Sequence, residues 1–340
     1  MTQKKSLNLL DATLIVSGSM IGSGIFIVSA DIARQTGGAG WFLLSWIISG
    51  IITLFAALSY GELAGMFPHA GRQYVYLKNG YNPLVGCLYG WTILLVVQCG
   101  TIAAVAVAFA KYTGVLVPLL SENNILFEAG NFKISAAQLF GILSILVLTL
   151  INIKGINYGK VIVRIFTYAK LIALFGIIIL GIFVYGSSTT WNINWNDAFS
   201  LSHWAKDASG NWIQSNLSTI ALTSAIGVGL VGSLFSSDAW NNVTFISGDI
   251  ENPKRNIPLS LAMGTGIVVV LYLLANIAYL HLLPLTGNPN GATTVERGIQ
   301  FAQNERVGTA TAEMMFGGAA TAIMAVLIMI STFGCNNGII

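Results

Sequence analysis

The feature that most constrains this chain is a series of long apolar runs along its whole length. Each run provides the roughly 20 apolar residues that a helix needs to cross a bilayer, and is too long and too uniformly apolar for a barrel strand. Only 9% of the residues are charged, against about 25% in a soluble domain. The sequence predicts an all-α polytopic membrane protein with a single transmembrane domain, 1–340, and spans near 9–33, 41–66, 83–110, 134–151, 162–184, 219–247, 258–283 and from 315 onward.

The distribution of basic residues predicts a cytoplasmic N-terminus. Cytoplasmic loops carry an excess of Lys and Arg, whereas the formal net charge of +3 is too small to indicate a nucleic-acid partner. With the N-terminus inside, the cytoplasmic side receives Lys4, Lys5, Arg72, Lys78, Lys154, Lys160, Arg164, Lys254 and Arg255. The opposite side receives Arg34, Lys111, Lys133, Lys206, Arg297 and Arg306.

The polar stretches between the runs predict loops and no soluble domain. The longest, about 187–218, carries four tryptophans, which suits a loop along the outer interface. A second external loop is expected at 284–310. Cys87, Cys99 and Cys335 all lie inside apolar runs, so we expect no disulfide-linked partner subunit. This cysteine pattern favours a bacterial inner-membrane protein.

The first run contains SGSMIGSGIF, residues 17–26, whose glycines and serines favour an interrupted helix. Irregular backbone inside a bilayer is tolerated only against protein or a cavity. A helix that unwinds at Gly22–Gly24 would offer N–H groups and a positive dipole end to an anion, and carbonyls to a cation. A zwitterion would satisfy both ends. Close helix packing through small residues is the alternative.

The sixth run carries a carboxylate, Asp238, within GLVGSLFSSDAWNNVTF. An ionisable residue inside a membrane span indicates function by default. The alternative, a carboxylate that caps a following half-helix, also implies a broken helix. Breaks in the first and sixth runs would occupy matching positions of two five-span repeats, an arrangement typical of transporters that bind substrate between inverted repeats.

Lys170, in IFTYAKLIALFGIIILG, is a second charged residue within an apolar run. One interpretation is a side chain that extends to the nearby membrane surface. The other places its ammonium group beside carbonyls exposed by the first break, where another transporter could hold a sodium ion. The sequence leaves both open.

Other classes of function fit this pattern less well. A channel would need a polar stripe along several spans, whereas the polar groups here cluster at two breaks. An enzyme would need paired acids, a nucleophile or a metal, and His69, His203 and His281 lie in or near loops without ligand spacing. We therefore expect no enzyme activity, no metal and no cofactor.

Five motifs, in this order, resemble the amino acid–polyamine–organocation transporters: GSMIGSGIF, YGELAGMFPHAGRQYVYL, LYGWT, FTYAKLIAL and NPKRNIP. The lysine-containing motif is most similar to the L-amino-acid transporter branch. The resemblance covers residues 7–340 and implies an inverted-repeat (5+5) fold with broken helices 1 and 6. It places a first repeat at about 9–184 and a partial second repeat at about 219–340, truncated within helix 8.

The resemblance also implies roles for residues at the two breaks. At the first break, Gly22, Ser23 and Gly24 would bind the substrate carboxylate, and the carbonyls of Met20 and Ile21 would accept hydrogen bonds from its amino group.

At the second break, Phe235, Ser236, Ser237 and Asp238 would assist with the amino group. Phe235 would also be an aromatic gate that covers the substrate from outside, and Asn241 would line the pocket.

The function implied is sodium-independent exchange of neutral L-amino acids by alternating access. Lys170 would replace the sodium ion, and Tyr279 would lie near the inner gate. Several relatives carry glycine or apolar residues at Ser236–Asp238. Asp238 therefore leaves a proton-coupled symporter of amino acids or amines as the alternative. The partners implied are a small-molecule amino acid and the lipid bilayer.

Overall fold

The computed structural model describes residues 7–67, 72–129, 132–154 and 156–340. It contains eight helical segments long and apolar enough to span a membrane, so the prediction of a multi-pass helical membrane protein is confirmed. Large apolar side chains such as Phe55 and Ile172 are exposed on these helices, where lipid is the favourable surrounding. The spans are Leu9–Ile27, Ala39–Met66, Pro83–Leu116, Ala136–Ile153, Val161–Val184, Thr219–Ser236, Pro253–Leu282 and Val307–Ile339.

Short helices and two pairs of strands connect or subdivide the spans. The α-helices are α1 (Leu9–Met20), α2 (Gly24–Ile27), α3 (Ser29–Thr36), α4 (Ala39–Met66), α5 (Arg72–Gly80), α6 (Pro83–Thr92), α7 (Cys99–Leu116), α8 (Ala136–Ile153), α9 (Ile156–Ile179), α10 (Ser188–Asn196), α11 (Thr219–Ser236), α12 (Pro253–Leu282), α13 (Thr294–Arg297), α14 (Val307–Phe316) and α15 (Ala320–Ile339). The strands are β1 (Ile125–Ala129), β2 (Phe132–Ser135), β3 (Ser202–Lys206) and β4 (Trp212–Asn216), which pair as two antiparallel hairpins.

The expectation of a purely α-helical chain is therefore wrong in two connecting segments. The stretch 187–218, expected to be a loop, holds α10 and the β3–β4 hairpin. The carboxylate of Asp207 accepts hydrogen bonds from the backbone N–H groups of Ser209 and Asn211 and so stabilises the hairpin turn. Gly210 occupies that turn with φ 84°, a conformation that glycine adopts without strain.

Two span boundaries also differ from those expected. The sixth helix was expected to reach 247 but ends at Ser236, because Ala239 adopts a left-handed conformation with φ 69° and the chain continues as 3-10 turns. The eighth span begins at Val307 rather than near 315. It is bent between α14 and α15, where Gly317 has φ 55°.

Helix α12 lies at the centre of the bundle and packs against α1, α4 and α9. Small residues allow its close contacts. A Cβ atom on Gly264 would lie 2.6 Å from the Val16 side chain of α1, and one on Gly61 of α4 would lie 3.1 Å from the Cα atom of Pro258. The first contact brings α12 against the first span, and the second brings the start of α12 against α4.

On the N-terminal side of the bundle, three sets of contacts hold the start of α1. Asn8 caps the helix in a capping box with Asp11. The Asp11 carboxylate, 1% exposed, also binds the guanidinium group of Arg164 on α9 at 2.5 Å. The backbone of Leu7 pairs with residues 249–251, donating to the Asp249 carbonyl at 3.1 Å and accepting from the Glu251 N–H at 2.9 Å.

On the opposite side, α3 is bound to both long connecting segments. Arg34 donates to the Gln300 carbonyl and to the Glu305 carboxylate, each at 2.6 Å. Its guanidinium group also lies 5.0 Å from the ring centre of Trp212 on β4, within range of a cation–π contact. The two halves of the first span are thus held by different parts of the chain.

Candidate functional site

The first span is interrupted at the glycine-rich stretch. Helix α1 ends at Met20 and α2 begins at Gly24, with Ile21 extended at φ −75° and ψ 95°. Gly24 faces the end of α11, where a Cβ atom would lie against the Oγ, Cβ and Cα atoms of Ser236. A residue without a side chain is therefore needed where the two interrupted spans touch.

Lys170, on α9, lies behind the interruption and donates to two of its carbonyls. Its Nζ atom is 2.5 Å from the carbonyl oxygen of Gly18 and 2.9 Å from that of Ile21. The residue is 3% exposed, so the ammonium group does not extend to the membrane surface. The carbonyl dipoles replace part of the hydration that burial removes from the charge.

Two side chains of α15 bind the neighbouring carbonyls. The Ser331 hydroxyl is 3.0 Å from the carbonyl oxygen of Ile21 and 3.2 Å from that of Gly22. The thiol of Cys335, a weak donor, is 3.1 Å from the carbonyl oxygen of Ser19. The irregular backbone is therefore compensated from the α15 side as well as from α9.

Tyr272, on α12, joins the two interrupted spans. Its hydroxyl lies 3.0 Å from the carbonyl oxygen of Met20 and 3.2 Å from that of Ser236, and the residue is 1% exposed. With this contact, each carbonyl of residues 18–22 lies within hydrogen-bond distance of a side-chain donor, although Tyr272 and Ser331 each share a single proton between two carbonyls. The sequence interpretation missed Tyr272.

Tyr279, expected near an inner gate, lies two turns further along α12. Its hydroxyl is 3.4 Å from the carbonyl oxygen of Ile25. This end of α12 lies on the side of the bundle opposite the N-terminus. If the N-terminus is cytoplasmic, Tyr279 lies in the outer half of the bundle, which disagrees with the expected position near an inner gate. The signal for Tyr272 was available, because a residue seven positions earlier lies on the same helix face.

The helix of the sixth span ends abruptly, and the chain continues as 3-10 turns at Trp240–Thr244 and Ser247–Asp249; we call this helix end the second interruption. Helix α11 ends at Ser236, and the backbone N–H of Asp238 donates to the carbonyl of Phe235 at 3.2 Å. The chain then turns at Ala239. Asp238 is exposed, and the Phe235 side chain is 63% exposed, so both are accessible beside the end of the helix.

A cavity of about 130 Å³ lies between the two interruptions. The hydroxyls of Ser19 and Ser236 in its wall are buried and have no hydrogen-bond partner among the described residues. Both hydroxyls are donors that a polar ligand in the cavity can use. The lining residues are Ser19, Met20, Gly22, Ser23, Gly24, Thr101, Ala104, Val105, Phe235, Ser236, Asp238, Ala239, Cys335 and Ile339.

Most of the predicted substrate-binding residues line this cavity, but three do not. Ile21, Ser237 and Asn241 lie outside its wall. Ile21 is 1% exposed, and its carbonyl oxygen lies within hydrogen-bond distance of Lys170 and of Ser331, whose single proton is shared with the carbonyl of Gly22. The role of the Ile21 carbonyl toward a substrate amino group stays a prediction.

The sequence interpretation did not assign the part of the wall formed by α7 and α15. Thr101 and Cys335 are polar residues within apolar runs, which was a usable signal. The sequence carries no comparable signal for Ala104, Val105 and Ile339. These are apolar residues in apolar spans, and which of them face a cavity depends on how the helices cross.

Three larger cavities are present: one of about 230 Å³ lies beside α13 and α14, and two, of about 320 and 360 Å³, lie between α7 and α8. The two between α7 and α8 share Val107, Lys133 and Gln138 in their walls and include no residue of either interruption. Neither brings groups of the two interrupted spans together. Within the described parts of the chain, no three His, Cys, Asp or Glu residues are grouped as a metal site.

Known proteins resemble the chain over almost its full length. The family model "Amino acid permease" matches residues 7–340. The serine/threonine exchanger SteT of Bacillus subtilis (strain 168) is 27% identical over 335 residues, which cover 98% of this chain and 65% of that relative. The Mus musculus proteins large neutral amino acids transporter small subunit 2 and b(0,+)-type amino acid transporter 1 are 30% and 25% identical over 98% of this chain. The chain covers 56% and 60% of these two, and so spans less than two thirds of the length of each relative.

Among solved structures, the chain resembles Mhp1, a nucleobase-cation-symport-1 family transporter, in a closed conformation with bromovinylhydantoin bound. The TM-score is 0.52 at 13% identity, over 98% of this chain and 64% of that one. At this identity the similarity shows the fold alone. The family and the relatives are transporters and not enzymes. The chain belongs to the amino acid permease family and lies near the L-amino-acid transporter branch of the amino acid–polyamine–organocation superfamily.

Proposed function

We propose that this protein is a secondary transporter that exchanges neutral L-amino acids by alternating access without sodium. The observation that carries the proposal is the cavity between two interrupted spans, with polar groups of both in its wall. Transporters built from inverted repeats bind substrate at such a place. The (5+5) repeat, with its first half at about 9–184 and part of its second at about 219–340, belongs to the proposal.

Exchange of neutral amino acids is supported by the names of the relatives. One is a serine/threonine exchanger, and another is a transporter of large neutral amino acids. The backbone around Gly22–Gly24 suits the carboxylate that all amino acids share, because the first N–H groups of a helix lack intrahelical partners. Phe235, exposed at the cavity, is the proposed gate over the substrate.

Sodium independence is supported by Lys170. Its ammonium group donates to the carbonyls of Gly18 and Ile21, oxygen atoms of the kind that would otherwise coordinate a cation. A charge fixed by a side chain needs no ion gradient to fill its site. The proposed role of Lys170 is to hold the first interruption in shape without sodium.

Alternating access requires contacts that open in turn on the two sides of the membrane. The ion pair between Asp11 and Arg164 closes the N-terminal side. The contacts of Arg34 with Gln300 and Glu305 close the other side. With the N-terminus in the cytoplasm, the first would open to release substrate inside and the second would open to admit it from outside.

A proton-coupled symporter of amino acids or amines is the second candidate, and Asp238 favours it. The carboxylate lines the cavity, where it could exchange a proton or bind an amine. Such a transporter would accumulate substrate from a proton gradient alone, whereas an exchanger needs an amino acid on the opposite side.

Counter-flow in proteoliposomes tests the proposal. The full chain is reconstituted with unlabelled L-serine inside, and entry of radiolabelled L-serine is measured without sodium. We expect exchange by the wild type and a loss of at least tenfold in Lys170→Ala, because two buried carbonyls lose a charged donor. Lys154→Ala, which changes an exposed lysine, is the matched control and should exchange as the wild type does.

Three results would contradict the proposal. Uptake by empty vesicles that follows an imposed proton gradient would favour the symporter. A strict sodium requirement in the wild type would exclude the proposed role of Lys170. Exchange by Lys170→Ala at the wild-type rate would also exclude the proposed role of Lys170.

Membrane and partners are part of the same proposal. We place the protein in a bacterial inner membrane with a cytoplasmic N-terminus and without a disulfide-linked subunit. Cys87 and Cys99 lie on α6 and α7, and Cys335 is buried on α15. Migration at the same mass with and without reductant is the expected result on gel electrophoresis.

A further inference from the structure

The two cavities between α7 and α8 adjoin each other and differ in character. They share Val107, Lys133 and Gln138 in their walls, and together they form what we call the α7–α8 groove. The cavity of about 320 Å³ is lined almost entirely by apolar residues, whereas the cavity of about 360 Å³ also has charged and polar residues in its wall. The groove is therefore apolar at one end and polar at the other.

The polar end lies where a membrane surface is expected. Helix α7 ends at Leu116 and α8 begins at Ala136, and the polar cavity lies beside these two helix ends. The apolar cavity extends from there toward the middle of both spans, as far as Ala103 and Ile145. A phospholipid has the same order of groups, with its charged head group at the membrane surface and its acyl chains in the interior.

The wall of the apolar end suits a hydrocarbon chain. Ile142 of α8 and Ala103 of α7 are exposed there, on the outside of the bundle. Gly141 lets α8 approach the α7 backbone, because a Cβ atom would lie 3.3 Å from the Ala106 carbonyl oxygen. Apart from the shared lysine and glutamine, the described residues of this wall offer no polar side chain. An acyl chain buried there leaves no polar side chain of that wall unpaired.

Two lysines mark the polar end. Lys133 lines both cavities, a placement typical of a lysine whose alkyl chain covers apolar surface while its ammonium group reaches water. Its Nζ atom is 2.7 Å from a carboxylate oxygen of Glu128, and that of Lys111 is 2.9 Å from one of Glu122. All four side chains are about half exposed. Such ion pairs are weak, so the lysines remain accessible to a ligand.

The balance of these charges favours a zwitterionic head group. Each lysine ammonium group has three N–H donors, so it can bind a phosphate without giving up its carboxylate. The two ion pairs are neutral together, and a phosphate alone would add an excess negative charge. An ammonium group on the same ligand restores neutrality and has an acceptor in Glu122, which lines the polar end.

The start of α8 supports the same placement. Ser135 and Gln138 form its capping box and line the polar end, where the positive end of the helix dipole favours a phosphate. The Gln138 side-chain oxygen accepts from the Ser135 N–H. Its amide nitrogen has no partner within the described chain. Because Gln138 lines both cavities, this nitrogen can donate to the ester groups that join head group and acyl chains.

We propose that the α7–α8 groove binds phosphatidylethanolamine, with an acyl chain in the apolar end, the phosphate at Lys111 and Lys133, and the ammonium group at Glu122. The ammonium group distinguishes this lipid from phosphatidylcholine, whose quaternary nitrogen has no N–H to donate, and from phosphatidylglycerol, which has no cation. The site goes beyond the proposed function, because no residue of the groove wall lines the cavity between the two interruptions.

Native mass spectrometry of the delipidated full chain tests the head group. The probes are phosphatidylethanolamine, phosphatidylcholine and phosphatidylglycerol with identical dioleoyl chains. We expect the wild type to bind the first about three- to tenfold more tightly than the other two, the gain from one partly exposed charged hydrogen bond. Glu122→Gln should lose this preference. Glu128→Gln, which removes the equivalent partner of Lys133 but lies outside the groove wall, is the matched control and should keep it.

The apolar end is tested by filling it. Ile142→Trp should weaken binding of all three lipids about tenfold, the value of roughly two buried CH₂ groups. Ile172→Trp makes the same change at an exposed isoleucine of α9, outside the groove, and should leave binding unchanged. Ala103→Phe fills the groove from α7 and gives a second reading if Ile142→Trp does not purify as a single species.

Four results would overturn the inference. Equal binding of the three lipids by the wild type, or tighter binding of phosphatidylglycerol, would show that the polar end recognises no ammonium group. Loss of the preference in Glu128→Gln as well would show a general effect of charge. If a second copy or another protein segment covers the groove, filling it leaves lipid binding unchanged. A wild type that binds none of the lipids has no such site.

Discussion

The two interruptions of the membrane spans are built in different ways. At the first, residues 18–22 lie against α9, α12 and α15, and side chains of all three helices donate to their carbonyls. At the second, α11 ends at Ser236, and Asp238, two residues later, is exposed. Both interruptions line the cavity, but the first is held by protein on several sides, whereas the second presents an exposed carboxylate.

This structural difference indicates different roles for the two interruptions. A buried hydrogen bond contributes about 0.5–1.5 kcal/mol to stability, and one to a charged group more. The bonds at the first interruption therefore stabilise its irregular backbone without a ligand. The second interruption supplies the accessible charge of Asp238. The two interruptions are joined by Tyr272 and by the contact of Gly24 with Ser236. Substitutions at these residues should show how far the two interruptions depend on each other.

The largest effect is expected from Gly24→Ala. The new methyl group would collide with the side chain of Ser236 and lie 3.0 Å from its Cα atom, so the two interruptions must move apart. Such overpacking costs about 1–3 kcal/mol. We expect amino-acid exchange in proteoliposomes to fall at least tenfold and the midpoint of thermal unfolding in detergent to drop.

A double variant separates this collision from other effects of the methyl group. Ser236→Gly removes the Oγ and Cβ atoms that the methyl group would meet, so Gly24→Ala with Ser236→Gly should regain part of the lost thermal stability. Gly176→Ala, on α9 with nothing within 4 Å of the added carbon, is the matched control. A Gly24→Ala protein that unfolds and exchanges as the wild type does would show that the contact is loose.

A smaller effect is expected from Tyr272→Phe. The variant keeps the ring but removes the hydroxyl shared by the carbonyls of Met20 and Ser236. Leaving a buried carbonyl without its donor costs about 1–3 kcal/mol. Chemical denaturation should report that loss, and exchange should slow because the two interruptions are no longer joined.

Tyr279→Phe is the matched control for Tyr272→Phe. It removes a hydroxyl of the same helix that makes a single longer contact, 3.4 Å from the carbonyl oxygen of Ile25. We expect its cost to be less than half that of Tyr272→Phe. Equal losses of stability in the two variants would mean that the Tyr272 hydroxyl contributes no more than another buried tyrosine hydroxyl of the same helix.

The sequence was sufficient to predict the spans and the two regions of interest. Apolar runs of bilayer length predicted the eight spans, because hydrophobicity over about 20 residues depends on composition alone. Asp238 stood out because a carboxylate in an apolar run is costly. Both hairpins were missed, since short strands outside the membrane leave only a weak pattern in the chain.

The partners of these regions could not be predicted in the same way. Three contacts depend on how the helices cross: Lys170 with Gly18, Ser331 with Ile21, and Tyr272 rather than Tyr279 with Met20. Helix crossing is set by packing between residues far apart in the chain, such as Gly264 against Val16. A single sequence carries the residues of such contacts but not their pairing.

The smallest effect on stability is expected from Ser236→Ala, which distinguishes a hydroxyl kept for a ligand from one kept for the fold. The Ser236 hydroxyl is buried without a partner in the described chain, so its removal should leave the free energy of unfolding unchanged or slightly raised. Affinity for L-serine should nevertheless fall about three- to tenfold, the loss of one hydrogen bond to the ligand.

Ser233→Ala, one turn earlier on α11, should behave in the opposite way. Its hydroxyl is buried and donates to the carbonyls of Gly229 and Leu230, so its removal should lower stability by about 0.5–1.5 kcal/mol and leave affinity unchanged. Denaturation and equilibrium binding on both variants would show this crossed pattern. If Ser236→Ala instead loses stability and keeps its affinity, the hydroxyl serves the fold, and the end of α11 is as firmly tied to protein as the first interruption.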